Sequence, residues 1–185
     1  MKPREHDPLR LDVVAFAADG RELVGDWPGL DLQRLSDSQS TPQDSLPHAV
    51  QWRAIGERRI SAGAPPQLWL QLSAQTTVWL TCQRCLQPFE HRLDVHQRLR
   101  FARDEAEAEA LDAETEDDVL ALRRWFDLRE LVEDELILAL PLVPRHEVCA
   151  QPLPMPADAA IEDVEPTKAN PFAQLQSLKT GGRVQ

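Results

Sequence analysis

The chain of 185 residues contains no tyrosine and only seven glycines, against fifteen prolines. This composition indicates rigid connections and a core with few aromatic side chains. Basic residues are also scarce: 20 Lys and Arg stand against 31 Asp and Glu, which gives a net charge of −11. Phosphate backbones repel such a chain unless its basic residues cluster. The charge therefore favours a basic protein partner over naked nucleic acid, although acidity can also serve solubility alone.

The sequence lacks the signatures of secreted, membrane-spanning and disulfide-bonded proteins. The start, Met1–Phe16, is charged and has no apolar core of the kind found in secretory signals. The longest apolar run, Leu136–Val143, is interrupted by Pro141 and is far shorter than the roughly 18 residues of a membrane span. Three cysteines cannot form a closed set of disulfides, so a reducing compartment is expected. We therefore predict a cytoplasmic protein without membrane association.

Motifs of catalysis are also missing. The sequence contains no glycine-rich phosphate loop and no G-x-S-x-G nucleophile motif. We therefore expect no enzyme activity, no catalytic residues and no small-molecule substrate.

The clearest pattern present is a two-residue alternation in the middle of the chain. Every second residue from Leu68 to Leu80 is apolar or small, and the residues between them are largely polar. The stretch Phe89–Phe101 repeats this pattern, and a connection of hairpin length, Cys82–Pro88, joins the two. Because strand side chains alternate between two faces, the sequence predicts a long antiparallel hairpin with two cysteines at its tip.

These elements predict an α+β fold. We expect a twisted antiparallel sheet of about four or five strands, either open or curled towards a barrel, that is covered by one main helix. Residues 104–118 carry nine carboxylates and no Lys or Arg. Their alternation of Glu and Ala suits a helix, but charge repulsion favours a loop.

The expected organisation is one domain at 1–150, with central strands at 48–102, an acidic loop at 103–118 and a helix at 127–140. A proline-rich linker and a short amphipathic segment follow at 151–185.

The cysteines suggest a metal site. Cys82 and Cys85 have C-x2-C spacing, and His146 and Cys149 form a second pair with the same spacing. Three thiolates and one imidazole are a common ligand set for structural zinc. The alternative is two small buried thiols with an unrelated Cys149. A thiol redox site is a weaker alternative, because such motifs usually open a helix inside a βαβ unit.

Two surfaces are candidates for partner binding. The helix at 127–140 carries Glu130, Glu133 and Asp134, whose mutual repulsion weakens the helix; they form either a docking face for a basic partner or an ordinary solvated face. Near the end of the chain, Phe172, Leu175 and Leu178 have helical spacing.

Direct RNA binding is the alternative function: two tryptophans on the polar side of their strand stand near arginines, unless another part of the chain covers this face. The residues of this candidate surface are Trp69, Trp79, Arg84, Arg98 and Arg100.

Three stretches resemble one protein family. Thr81–Phe89 (TCQRCLQPF) looks like the cysteine turn of the YceD proteins, Val132–His146 (VEDELILALPLVPRH) resembles their acidic helix and Leu-Pro-x-Val-Pro run, and Asn170–Lys179 (NPFAQLQSLK) is similar to their C-terminal signature. The resemblance implies a role in the synthesis, processing or stability of large-subunit (23S) ribosomal RNA during ribosome biogenesis. It also implies a ribosomal protein, a pre-ribosomal component or this rRNA as partner, and it supplies no catalytic residues.

Overall fold

The computed structural model describes residues 5–43, 45–63 and 65–149. All of these belong to one compact unit that spans Met1–Ala150. The predicted linker and the segment with Phe172, Leu175 and Leu178 lie outside the described residues. Within the part of the chain that is described, no helix is both long and apolar enough to cross a membrane.

The described chain contains both helices and strands, with β2, β3 and β4 in succession, and the α+β class is confirmed. The elements are α1 (Val13–Asp19), β1 (Glu22–Trp27), α2 (Gln33–Asp37), β2 (Val50–Arg59), β3 (Gln67–Thr81), β4 (Pro88–Ala102), α3 (Glu105–Glu114), β5 (Asp118–Ala121) and α4 (Leu128–Leu138), with a single 3-10 turn at Gly29–Asp31 between β1 and α2.

The strands form one five-stranded sheet in the order β1-β2-β3-β4-β5. The first four are antiparallel neighbours, and the long β3–β4 hairpin pairs from Leu68 opposite Phe101 to Thr81 opposite Pro88. The fourth and fifth strands are parallel, so the sheet is mixed, whereas the sequence predicts an antiparallel one. The described strands do not close into a barrel, since β1 and β5 stand at opposite ends of the strand order.

The acidic stretch forms a helix, not the loop that its charge predicts. Parallel strands need a crossover connection, and α3 supplies it between β4 and β5. The carboxylate of Asp104 accepts a hydrogen bond from the Glu107 N–H (2.9 Å) at the start of α3, and Arg103 pairs with Glu107 (3.0 Å). Acidic residues in the first turn stabilise a helix, because their negative charge interacts favourably with the positive end of the helix dipole. Capping and helix propensity therefore outweigh repulsion between side chains that are mostly exposed.

The core lies on one face of the sheet, which we call the inner face. The inward side chains of the hairpin, such as Leu70 and Leu99, pack there with Phe16 of α1, Leu35 of α2 and Leu136 of α4. Close approach of α1 requires a glycine on β2, because a Cβ at Gly56 would lie 2.7 Å from the Phe16 carbonyl oxygen. The opposite face, here called the outer face, carries the polar side chains of the alternating pattern.

The predicted helix at 127–140 is present as α4. Asp127 is its N-cap, and its carboxylate accepts hydrogen bonds from the N–H groups of Arg129 (2.9 Å) and Glu130 (3.1 Å). The N-terminal segment fixes this start, since Leu11 and Phe126 exchange two backbone hydrogen bonds of 2.8 and 3.0 Å. The helix is therefore held at a defined place on the inner face, and its C-terminal end determines where residues 141–149 can go.

Candidate metal centre

The tip of the β3–β4 hairpin is a tight turn that contains Cys82 and Cys85. The Cys82 N–H donates to the Gln87 carbonyl (3.0 Å), and the Leu86 N–H donates to the Cys82 carbonyl (2.8 Å). This turn buries both cysteines, which are 0% and 4% exposed. The C-x2-C motif is therefore a connection between two strands, and it does not open a helix as thiol redox sites usually do.

The chain beyond α4 returns to this tip. The helix ends at Ala139, and Pro141 prevents its continuation. The Gln83 N–H then donates to the Pro144 carbonyl (2.9 Å), which holds the returning segment beside the turn. The ring of His146 lies against Phe89, with 4.7 Å between the centroids. These contacts bring His146 and Cys149 to the hairpin tip across more than 60 residues of sequence.

The four predicted ligands form one cluster, which we call the cysteine–histidine cluster: Cys82, Cys85, His146 and Cys149. Their candidate ligand atoms all lie within 4.8 Å of one another. The Cys82 and Cys149 sulfurs are 3.7 Å apart, and His146 Nδ1 lies 3.4 Å from the Cys85 sulfur and 3.8 Å from that of Cys149. The arrangement is a set of metal-ligand side chains around a common point.

Electrostatics favour negative charge in this cluster. Burial of the Cys82 sulfur raises its pKa, but hydrogen bonds to that sulfur, the largest from the His146 backbone N–H, outweigh the burial and bring the pKa to about 5. The hydrogen bond from the Gln87 backbone N–H lowers the pKa of Cys85. Burial and the neighbouring sulfurs raise this pKa by more, so the net shift is upward. The Arg84 Nε donates to the Cys149 sulfur (3.1 Å). The hydrogen bonds thus favour a thiolate at Cys82, and negative charge there opposes ionisation of Cys85.

The residue after the motif has an unusual backbone. Leu86 has φ of +59°, and it is the one non-glycine residue with positive φ among the described residues. Its side chain is 62% exposed. A left-handed conformation costs a non-glycine residue about 1–2 kcal/mol, so the turn tolerates strain to fold the chain around the cluster.

We expect Leu86→Gly to stabilise the protein by about 0.5–1 kcal/mol. Relief of the left-handed strain, about 1–2 kcal/mol, exceeds the roughly 0.5–1 kcal/mol that glycine adds in chain entropy. Urea denaturation of the two proteins measures the difference. Leu86→Ala is the matched control, because it removes the exposed side chain but keeps the strain; an equal gain in this control would contradict the backbone explanation.

The acidic face of α4 is only partly available to a partner. Glu133 is 8% exposed, and its carboxylate accepts hydrogen bonds from the N–H groups of Arg34 (2.7 Å) and Leu35 (3.1 Å) at the start of α2. The Arg34 guanidinium also contacts Glu133 (2.9 Å) and pairs with Asp134. Glu133 therefore joins two helices, and its carboxylate contacts groups within the protein. Glu130 is exposed, and Asp134 is half-exposed.

The candidate RNA-binding residues fall into two groups. Trp69 lies opposite Arg100 in the hairpin, while Trp79 lies ten residues further along β3, opposite Glu90 and near the tip that holds Arg84. Trp69 is 3% exposed, because the guanidinium groups of Arg59 (4.8 Å) and Arg98 (4.5 Å) cover its ring. The N-terminal helix lies on the inner face and does not cover it. Trp79 is half-buried and stacks on His48 at 6.4 Å.

Comparison with known proteins agrees with the resemblance in the sequence. The family model described as "Large ribosomal RNA subunit accumulation protein YceD" matches residues 70–179, more than half of the chain. A curated protein of that name from Haemophilus influenzae is 30% identical over 176 residues, which cover 93% of this chain and 95% of the relative. No solved structure matches. The matched region contains almost all of the hairpin, the cysteine–histidine cluster and α4, and the chain belongs to the YceD family.

Proposed function

We propose that this protein is a non-enzymatic accessory factor in ribosome biogenesis that supports the accumulation of large-subunit (23S) ribosomal RNA in the cytoplasm. The observation that carries the proposal is the match along 93% of the chain to a relative named for this role. The factor acts by binding a ribosomal protein or another pre-ribosomal component. Its described surface suits this role, because its carboxylates outnumber its basic groups and ribosomal proteins are commonly basic.

The second part of the proposal is that the cysteine–histidine cluster binds a structural zinc ion. In a tetrahedral site with Zn–S of about 2.3 Å and Zn–N of about 2.0–2.1 Å, sulfur atoms are about 3.8 Å apart and sulfur and nitrogen are about 3.6 Å apart. Three of the six separations in the cluster, 3.7, 3.4 and 3.8 Å, fit these values, and all six lie within 4.8 Å. Three thiolates and one imidazole fill all four positions, so the set suits a structural site and leaves no position for a reacting water.

Zinc would fasten the end of α4 to the hairpin tip. The described contacts between these parts are the Gln83–Pro144 hydrogen bond, the Phe89–His146 ring contact and the cluster itself. The neighbouring sulfurs help to raise the pKa of Cys85, and a bound cation would relieve this repulsion. The Arg84 guanidinium, which donates to the Cys149 sulfur, would balance the net negative charge of three thiolates on one divalent ion.

Direct RNA binding by the outer face has less support. Trp69 cannot stack on a base while Arg59 and Arg98 cover its ring. Arg98 also lies 3.4 Å from Asp117, and Arg59 is 2.7 Å from Glu57, so these cations already have anionic partners.

Deletion of the gene tests the proposed function. We expect the ratio of large-subunit to small-subunit rRNA to fall in the deletion strain, because precursor that lacks its accessory factor is degraded. A plasmid copy of the wild-type gene should restore the ratio. His146→Ala should restore it less than His91→Ala, a control histidine near the tip that is not a ligand. An unchanged ratio in the deletion strain contradicts the proposed function.

A further inference from the structure

A groove runs along the free edge of β5. A cavity of about 350 Å³ is lined there by Val119, Leu120 and Ala121, by the loop that contains Trp125 and Phe126, and by Leu131 of α4. Consecutive strand residues point to opposite faces of a sheet, so a cavity that touches three of them in a row follows the edge of the strand. In the described residues β5 pairs with β4 alone, and its other edge borders this groove.

The groove offers two kinds of contact to an extended segment. The edge of a terminal strand presents N–H and C=O groups that another strand can pair with. Beside this edge, Leu131 is 8% exposed and Trp125 is 46% exposed. The guanidinium groups of Arg10 (5.1 Å) and Arg124 (5.8 Å) lie over the Trp125 ring, so the rest of its exposed surface is what side chains of an added strand can contact. Because β5 is only four residues long, it can pair with a short segment.

The rim of the groove is acidic. Its lining contains the four carboxylates Glu105, Asp127, Glu130 and Asp134 and one cation, Arg123. Two further cations, Arg10 and Arg124, lie beside it over the Trp125 ring. Asp127 caps α4 and Asp134 pairs with Arg34, so Glu105 and Glu130 are the exposed carboxylates of the rim. The acidic stretch at 104–118 lies directly before β5 and adds to the negative potential. A nucleic acid would be repelled here, and a basic protein segment would be attracted.

We propose that this groove binds an extended segment of a protein rich in Lys and Arg, which adds to the sheet beside β5. Backbone hydrogen bonds to the strand edge fix the segment, alternate apolar side chains pack on Leu131 and Trp125, and its cations face Glu105 and Glu130. This inference rests on the proposed function, since it assigns a surface and a chemical class to the partner of the accessory factor. It also replaces Glu133 with Glu105 in the predicted docking face.

Peptide binding by the full-length protein tests the groove. The probe is a fluorescent eight-residue peptide that alternates Lys or Arg with Val, compared with one that alternates Glu with Val. We expect the basic peptide alone to bind, more weakly as salt rises, and amide exchange to slow at residues 118–121. Displacement by a short single-stranded RNA, or equal binding of the acidic peptide, would overturn the proposal.

Charge reversal locates the contact. The double variant Glu105→Lys with Glu130→Lys should weaken binding at least about tenfold, since two attractions become repulsions. The matched control, Glu109→Lys with Glu114→Lys, has the same net charge and alters exposed α3 residues outside the groove; it should change binding less than about twofold. Equal loss in both variants would overturn the assignment to the groove.

The same variants distinguish the two proposals in cells. If the Glu105/Glu130 variant folds with a normal melting temperature but fails to restore rRNA accumulation, the groove serves the proposed function. If it loses the peptide and still restores accumulation, the groove is not the functional docking site, and the proposed function stands. If the wild-type gene itself changes nothing in a deletion strain, the proposed function fails whatever the peptide does.

Discussion

Removal of the proposed zinc ion, or Cys85→Ser, is expected to lower the melting temperature by about 8–16 °C. A ligand present at a thousand times its dissociation constant stabilises the folded state by about 4 kcal/mol. For a chain of this size each kcal/mol corresponds to roughly 2–4 °C. The zinc sites of small fingers contribute more, because those chains are unfolded without metal. Here the inner-face core remains, so the loss concerns the hairpin tip and residues 139–149 first.

The measurement is thermal unfolding combined with metal analysis. Protein purified without chelator should contain about one equivalent of zinc, and Cys85→Ser or His146→Ala well below that. A strong chelator should lower the melting temperature of the wild type and leave that of Cys85→Ser unchanged, since the variant has no site to empty. His91→Ala should keep both its zinc and its melting temperature. Zinc far below one equivalent in the wild type, together with a normal melting temperature for Cys85→Ser, contradicts the structural site.

The parts of the fold that follow from local periodicity are the ones that the sequence predicts. Strand alternation depends only on the two faces of a strand, and the inward set from Leu68 to Leu80 is the set that meets the core. The segment between the two strands is too short for anything but a hairpin turn, so its length predicts the antiparallel pairing. The α4 helix is likewise readable from its apolar spacing, its N-cap at Asp127 and Pro141.

The parts that depend on distant contacts could not be read in this way. Whether the acidic stretch forms a helix depends on the parallel pairing of β5 with β4, and no periodicity in four residues signals such a pairing. Trp69 stands on the polar side of its strand, as its parity requires, yet arginines from two other strands bury it. The cysteine–histidine cluster can be predicted only because Cys and His are rare, so that two closely spaced pairs of them suggest one shared metal site.

Glu133 is the clearest example of this limit. The acidic residues beside it on α4, Glu130 and Asp134, are exposed and half-exposed, and the charge pattern of the helix does not set Glu133 apart from them. Its partner Arg34 lies 99 residues earlier in the chain. The Glu133 carboxylate accepts two backbone hydrogen bonds at the start of α2, a helix that has no side-chain cap of its own at Leu32. One buried side chain therefore holds α2, with its buried Leu35, against α4.

Glu133→Ala is accordingly expected to destabilise the protein by about 2–4 kcal/mol. Loss of one partner from a buried, hydrogen-bonded ion pair costs roughly 3–5 kcal/mol, and we reduce this value because the Arg34 side chain is 52% exposed. The same change leaves two N–H groups of α2 without their acceptor. At roughly 2–4 °C per kcal/mol, the melting temperature should fall by about 4–16 °C.

Two further variants separate capping from charge. Glu133→Gln keeps one acceptor oxygen and loses the charge, so it should fall between the wild type and Glu133→Ala. Glu130→Ala removes an exposed carboxylate three residues earlier on the same helix and should change stability by less than about 0.5 kcal/mol. Urea unfolding followed by far-ultraviolet circular dichroism gives all three free energies. If Glu133→Ala and Glu130→Ala are equally mild, the carboxylate of Glu133 does not hold α2 to α4; a large loss for Glu133→Ala alone identifies it as the connection between the two helices.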